Sequence, residues 1–287
     1  MTATRAHAFE TSHPAVPAVY LGGTVLIAMF ALQPVLVAVS LAGALAASLA
    51  FRGVRATLRG LRWQLPVVGV ICLVNPLFSA SGSTELWRLG SVVIYLESLA
   101  FGACMGAMLV AVVLWLECAS RVLTQDRVLE LGARALPTVT LMVSMTAQLV
   151  PQLVRRGQTV RSTYAACTAA SGTKDVRHAQ VRMSDVLVAW AMEDSLERAD
   201  AMRARGWGST EARTTYRSVE FRARDAVALT GVVVFLLANA LLAYVACSQW
   251  RFYPTMPQLV AWWGYVPYAA QVLLPTALEL MGRSRWG

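Results

Sequence analysis

The sequence predicts an all-α, polytopic membrane protein: a bundle of about five to six transmembrane helices with long helices outside the bilayer. Of its 287 residues, 57% are hydrophobic and only 14% are charged, whereas an ordinary soluble domain carries roughly a quarter charged residues. Several stretches reach the about 20 mostly apolar residues needed to cross a hydrocarbon core roughly 30 Å thick. The charges are gathered into a few segments rather than spread over a surface.

Taken in order, the first 18 residues include two prolines and lack the basic start and small-residue cleavage site of a secretory signal, which predicts a retained tail. From Val19 to Phe51 the chain is uncharged for 33 residues, interrupted by Gln33 and Pro34. This reads either as one kinked helix or as two short helices folded at Pro34, since proline suits both. Leu65 to Ala80 is a short third candidate, which Asn75-Pro76 is expected to break. Ser91 to Leu116 is the fourth and carries Glu97 near its start. Ala226 to Cys247 and Leu259 to Met281 are the last two. The resulting organisation is N-terminal membrane helices over 1–116, a charged region over 117–225 and C-terminal membrane helices over 226–287.

Short loops rich in Lys and Arg stay in the cytoplasm. Arg52, Arg55, Arg59 and Arg62 fill the expected loop before the third helix, and Arg283 and Arg285 follow the last. Ser81 to Gly90 and Ser248 to Gln258 hold one arginine each, and the second is flanked by Trp250, Tyr253, Trp262, Trp263 and Tyr265. Such aromatics sit at headgroup level, here on the outer face. Two crossings before Arg52 give six helices with both termini inside; one crossing puts the amino terminus outside.

The region 117–225 is predicted to be cytoplasmic. Residues 155–224 hold thirteen Lys or Arg against eight Asp or Glu, with no apolar run able to cross a membrane. Leu136 to Val154 is apolar but broken every few residues by Thr, Ser or Gln, as in a helix at an interface or packed under a bundle. Asp185 to Gly206 has the marks of one amphipathic helix. Asp185 is expected to cap its start and Gly206 to supply the left-handed residue at its end. Asp194 and Arg198 are placed to pair, and Met192, Leu196, Ala199 and Met202 form one apolar stripe. Arg203 and Arg205 then project from the last turn, an arrangement that an ordinary helix terminus also favours electrostatically.

Other chemistry has little support. The net charge of +9 is not accompanied by a soluble basic patch interleaved with stacking aromatics, so nucleic acid is not an expected partner. The five cysteines have no Cys-x-x-Cys spacing and read as small hydrophobes. His7, His13 and His178 make no ligand pair, so no metal or other cofactor is expected. No phosphate-cradling Gly-x-x-x-x-Gly-Lys-Ser/Thr loop is present, which places any ATP hydrolysis in another chain. Glu97 and Glu117 read as interfacial carboxylates, and Ser98, Gly102 and Gly106 as a close-packing face.

LERADAMRARGWG (Leu196 to Gly208), followed by Arg213, Thr214, Tyr216, Arg222 and Asp225, resembles the second signature of the transmembrane T component of energy-coupling factor (ECF) transporters, relatives of ABC importers that take up vitamins, cobalt or nickel. NPLF (Asn75 to Phe78), YLESLAFG (Tyr95 to Gly102) and ALPTVTLMVSMTAQLVPQL (Ala135 to Leu153) follow in the expected order, so the resemblance covers most of the chain. It implies a non-enzymatic coupling scaffold of the cell membrane, with long cytoplasmic coupling helices whose arginine motifs dock in grooves on two ATP-binding cassette ATPase subunits. It also implies a separate substrate-binding membrane subunit, the S component. Ala204, Arg205 and Gly206 correspond to the second docking motif. Where family members carry another Ala-Arg-Gly, this chain reads VRSTYAAC (Val160 to Cys167), and Arg161 is the nearest counterpart. The alternatives are an ordinary ABC-importer permease, which binds substrate itself, and a membrane enzyme using Asp185, Asp194, Asp200 and His178, which form no familiar arrangement.

Overall fold

The computed structural model of the protein describes residues 13–78, 83–89, 92–168, 176–209, 221–253, 257 and 262–284. Helices dominate. Among the described residues, four helices are long and apolar enough to cross a membrane: α2 (Pro34–Arg52), α3 (Val54–Phe78), α4 (Leu96–Val122) and α8 (Ala223–Ser248). The chain is therefore a membrane protein built as a helical bundle. The helix α1 (Ala15–Phe30) is apolar but has 16 residues, a rise of about 24 Å. Outside the bundle-forming set lie α5 (Gln125–Ala135), α6 (Pro137–Thr168) and α7 (Val176–Ala204), and α9 (Tyr265–Ser284) closes the described chain. Strands β1 (Glu85–Leu89) and β2 (Val92–Tyr95) pair antiparallel, a short ladder the all-α expectation did not include.

Residues 19–51 form two helices, not one. Gln33 is extended and Pro34 stands at the first position of α2, where its missing N–H is no loss and its φ is already helical. The loop expected at Arg52 to Arg62 does not exist. Gly53, at φ +84°, turns the chain within one residue, and Ser48 and Thr57 lock the corner with a hydroxyl pair at 2.9 Å. Arg55, Arg59 and Arg62 consequently lie on the first turns of α3. That helix also continues through Pro66 and Pro76, because within a membrane a helix keeps more backbone groups satisfied than any broken alternative.

The chain divides into two compact units, residues 1–128 with 220–287, and residues 129–219. In the first, α4 packs on α1, α2 and α3, while α2 also meets α9 and α1 meets α8. Trp115, Leu114, Leu21, Leu36, Tyr268 and Val272 are fully buried at its core. Small residues permit the close crossings. A Cβ on Gly43 would overlap the Val272 side chain, one on Gly106 would lie 2.7 Å from Val68, and one on Gly102 would lie 3.1 Å from the Cys72 backbone. The Ser98, Gly102, Gly106 face is thus the seam between α4 and α3. Polar side chains tie the interior together: Gln271 donates to Thr24 Oγ1 at 3.0 Å, and Trp115 Nε1 donates to Ser40 Oγ at 3.3 Å.

These contacts fix helix directions. Gln33 meets Tyr265 and Gly43 meets Val272, so α2 and α9 run the same way. Ser40 with Trp115 and Arg52 with Glu117 align α2 with α4. His13 with Phe221 and Gly23 with Leu236 align α1 with α8. Asn75 against Gly102 and Val68 against Gly106 make α3 antiparallel to α4. One end of this unit therefore carries Arg52, Arg55, Arg59, Arg62, Glu117, Arg222 and Arg224. The opposite end gathers aromatics, with Phe101 and Trp250 both edge-on to Phe252 and Trp262 edge-on to Tyr265.

The second unit contains a helical hairpin. Arg156 bonds Asp194, Gln152 bonds Arg198 and Gly157 faces Leu187, so α6 and α7 run antiparallel. Leu136 to Val154 is not a separate segment but the first part of α6, which passes through Pro151 to Thr168.

Candidate partner-docking site

The sequence expects a helix starting at Asp185, yet α7 begins at Val176, so Asp185 is an exposed mid-helix residue and not a cap. The apolar stripe lies away from the face packed on α6. Met192, Leu196 and Ala199 are exposed, while Leu187, Ala191, Asp194 and Arg198 form the sheltered side toward α6. The reason is chemical: Asp194 accepts from Arg156 at 2.9 Å and is ion-paired with Arg198 at 2.8 Å. Arg198 also donates to Gln152, and the Arg156 guanidinium sits 5.9 Å from the centre of the Trp190 ring. This lock satisfies charges that would otherwise be stranded between two helices. The Asp194–Arg198 pair was legible from its spacing; Arg156 and Gln152, nearly forty residues away in sequence or more, carried no local signal.

The end of α7 is built as expected. Gly206 has φ +82°. Its N–H reaches the Arg203 carbonyl at 2.9 Å, and the Trp207 N–H reaches the Met202 carbonyl at 3.0 Å. This nested pair of bonds satisfies the last carbonyls and stops the helix. Ser209 folds back onto the Gly206 carbonyl through its N–H at 3.1 Å and its hydroxyl at 2.7 Å. Ala204, Arg205 and Gly206 are all exposed. Arg203 lies 4.0 Å from Asp200, with both side chains about four-fifths exposed (80% and 78%), a pair worth little in water. Among the described residues, no carboxylate pairs with Arg205.

Arg161 is exposed on α6, but the structure does not bring it near Arg205. With residues 156 and 194 level in the hairpin, Arg205 is level with roughly residue 145, about 24 Å along the axis from Arg161. Arg213, Thr214 and Tyr216 lie outside the described residues. Arg222 and Asp225 belong to the first unit, where the buried Asp225 carboxylate accepts from the Arg222 N–H at 3.2 Å and the His13 N–H at 3.5 Å. It thereby caps α8 and ties it to the chain entering α1. NPLF and YLESLAFG are brought into contact, Asn75 lying against Gly102. Glu97 accepts from the Thr84 N–H at 3.2 Å and from the Ser83 and Thr84 hydroxyls, each at 2.9 Å. It anchors the chain entering β1 to the first turn of α4.

Asp185, Asp194 and Asp200 do not converge, since Asp194 faces α6 and the other two face outward; the His178 side chain lies outside the described residues. Among the described residues no three His, Cys, Asp or Glu side chains are grouped to hold a metal. Compared with known proteins, the chain matches no family model and no significantly similar protein with a curated description.

Proposed function

We propose that this chain is the transmembrane coupling subunit of an ECF-type importer, which passes ATP-driven motion of two ATPase subunits to a substrate-binding membrane subunit for vitamin or metal-ion uptake. The observation that carries the reading is the end of α7: a helix of 29 residues, closed by a left-handed glycine, that presents Arg205 outward with no carboxylate paired to it among the described residues. An arginine fork held on a rigid helix end suits a groove lined with carboxylates or carbonyls, because its planar donors match them in pairs. The outward Met192 and Leu196 supply apolar surface on the same helix for a partner to cover.

The arginine-bearing end of the bundle faces the cytoplasm of the cell in this reading, and α1 and α9 cross together with the four long helices. Six crossings then return both ends to one side, in keeping with the alternating helix directions. Arg161 is the candidate for the first docking motif. The decisive test is ATPase co-purification and uptake in Arg205→Lys, Arg205→Ala and Arg205→Glu at matched membrane levels, with Arg203→Ala as neighbour control. Loss of the fork from a buried site costs about 2–5 kcal/mol, so Arg205→Glu is expected to abolish recovery of the ATPases. Full transport by Arg205→Glu would reduce Gly206 to an ordinary cap.

A further inference from the structure

The start of α3 carries charge that no described residue of the bundle pairs. Arg55, Arg59 and Arg62 are exposed, and none has an ion-pair or hydrogen-bond partner among the described residues. Arg52, one turn earlier, is by contrast held by Glu117. At 100° per residue the three fall within about 60° of one another, forming one stripe about 10 Å long. Trp63 stands beside it, 79% exposed, as expected of a ring at headgroup level.

The same face continues into hydrocarbon. Pro66, Val70, Leu73 and Leu77 lie below the arginines within about 80° of arc, and Leu73 is 70% exposed. Gly69 adjoins this line, and a Cβ there would meet nothing within 4 Å, so the face carries a shallow notch. Val70 and Leu73 lie about 12 and 17 Å beneath Arg62 along the axis, the depth of one leaflet of a core roughly 30 Å thick. Cationic forks at headgroup depth above an exposed apolar track match an anionic phospholipid, with phosphate at the guanidinium groups and acyl chain along the notch.

We infer that the Arg55–Arg59–Arg62 face of α3 is a binding site for an anionic phospholipid. The inference requires only that the chain is embedded in a membrane, and it stands or falls separately from the coupling function. It is tested with the full chain, purified and exposed to an equal mixture of phosphatidylglycerol and phosphatidylcholine, by native mass spectrometry of the lipids retained. The wild type is expected to prefer phosphatidylglycerol, and each arginine replaced by glutamine to reduce that preference about fivefold. Arg59→Gln alone reads this in a chain that differs least from wild type. The triple lysine variant is expected to keep most of the preference, and a triple glutamine variant of Arg155, Arg161 and Arg182 to keep all of it.

Unchanged preference in both Arg59→Gln and the combined Arg55→Gln, Arg59→Gln, Arg62→Gln variant overturns the site, as does an equal loss in the Arg155, Arg161, Arg182 control. Displacement of phosphatidylglycerol by a large excess of inorganic phosphate overturns the acyl-chain part and leaves an anion site only. An unchanged lipid preference accompanied by loss of a co-purifying acidic protein assigns the stripe to that protein instead.

Discussion

Two glycines show how single residues set this architecture. Gly206 sits at φ +82°, where a residue with a Cβ is strained by roughly 1–2 kcal/mol. A Cβ there would also approach Ser209 Oγ to 3.2 Å. Gly206→Ala is therefore expected to speed hydrogen exchange at the Gly206 and Trp207 amides, while Gly206→Asn, which tolerates the left-handed region, stays near wild type. Equal protection in the alanine variant would show that the turn is not what ends α7. Gly43 acts by size alone: Gly43→Ala overlaps Val272, and overpacking of this kind costs about 1–3 kcal/mol. Thermal unfolding is expected to fall in Gly43→Ala, to recover in part on adding Val272→Ala, and to change little in Gly22→Ala, where a Cβ meets nothing within 4 Å.

At the scale of elements, the α6–α7 hairpin rests on Asp194 between two arginines, Arg156 and Arg198. The Arg156–Asp194 pair is largely sheltered, with side chains 30% and 15% exposed, so a double-mutant cycle with alanine is expected to give a coupling of about 1 kcal/mol, above the usual surface value. Hydrogen exchange along α7 in the full chain measures it, and additive single-mutant effects would deny the lock. The helix end at Gly206, the Asp194–Arg198 pair and the apolar spans were legible in the sequence because each depends on neighbours within a turn or two, or on composition over about 20 residues. What misled was long-range. The start signal of Ser184-Asp185 is real locally but lies nine residues inside α7, where continued helix overrides it. The apolar stripe Met192, Leu196 is legible as a stripe, but periodicity marks a face without saying which way it points; the ion lock decides that, and its partners come from α6. The arginines of α3 read as a loop in the sequence because a one-residue turn at Gly53 leaves no other trace. For the candidate site, residue identity was legible and spatial relation was not: nothing in the spacing of Arg161 and Arg205 indicates that an antiparallel hairpin separates them by about 24 Å.

For the molecule as a whole, the helix directions make a prediction that owes nothing to charge counting. Asn75 beside Gly102 and Gly60 beside the Glu117 carboxylate set α3 and α4 antiparallel along their lengths. Ser83, just before β1, therefore lies at the end of the unit opposite the Arg52–Gly53 corner. The chain leaves α4 and re-enters α8 at the corner end, since Arg52 pairs with Glu117 and His13 meets Asp225. If the apolar span of the bundle is the bilayer, Ser83 and the start of α8 at Arg222 face opposite compartments, and the proposed coupling function puts Ser209 on the side of Arg222. Single cysteines at Ser83 and Ser209, placed in a background lacking the five native cysteines, test this in intact cells with a membrane-impermeant thiol reagent. The Ser83→Cys chain is expected to react and the Ser209→Cys chain to react only after the membrane is opened. Labelling of both from outside would break the link between helix direction and compartment, and with it the cytoplasmic placement of Arg205. Labelling of Ser209→Cys alone would keep the bundle and invert it, leaving the arginine-rich end outward against the tendency of basic segments to remain in the cytoplasm. Only the expected pattern puts Arg205 where cytoplasmic ATPases can reach it.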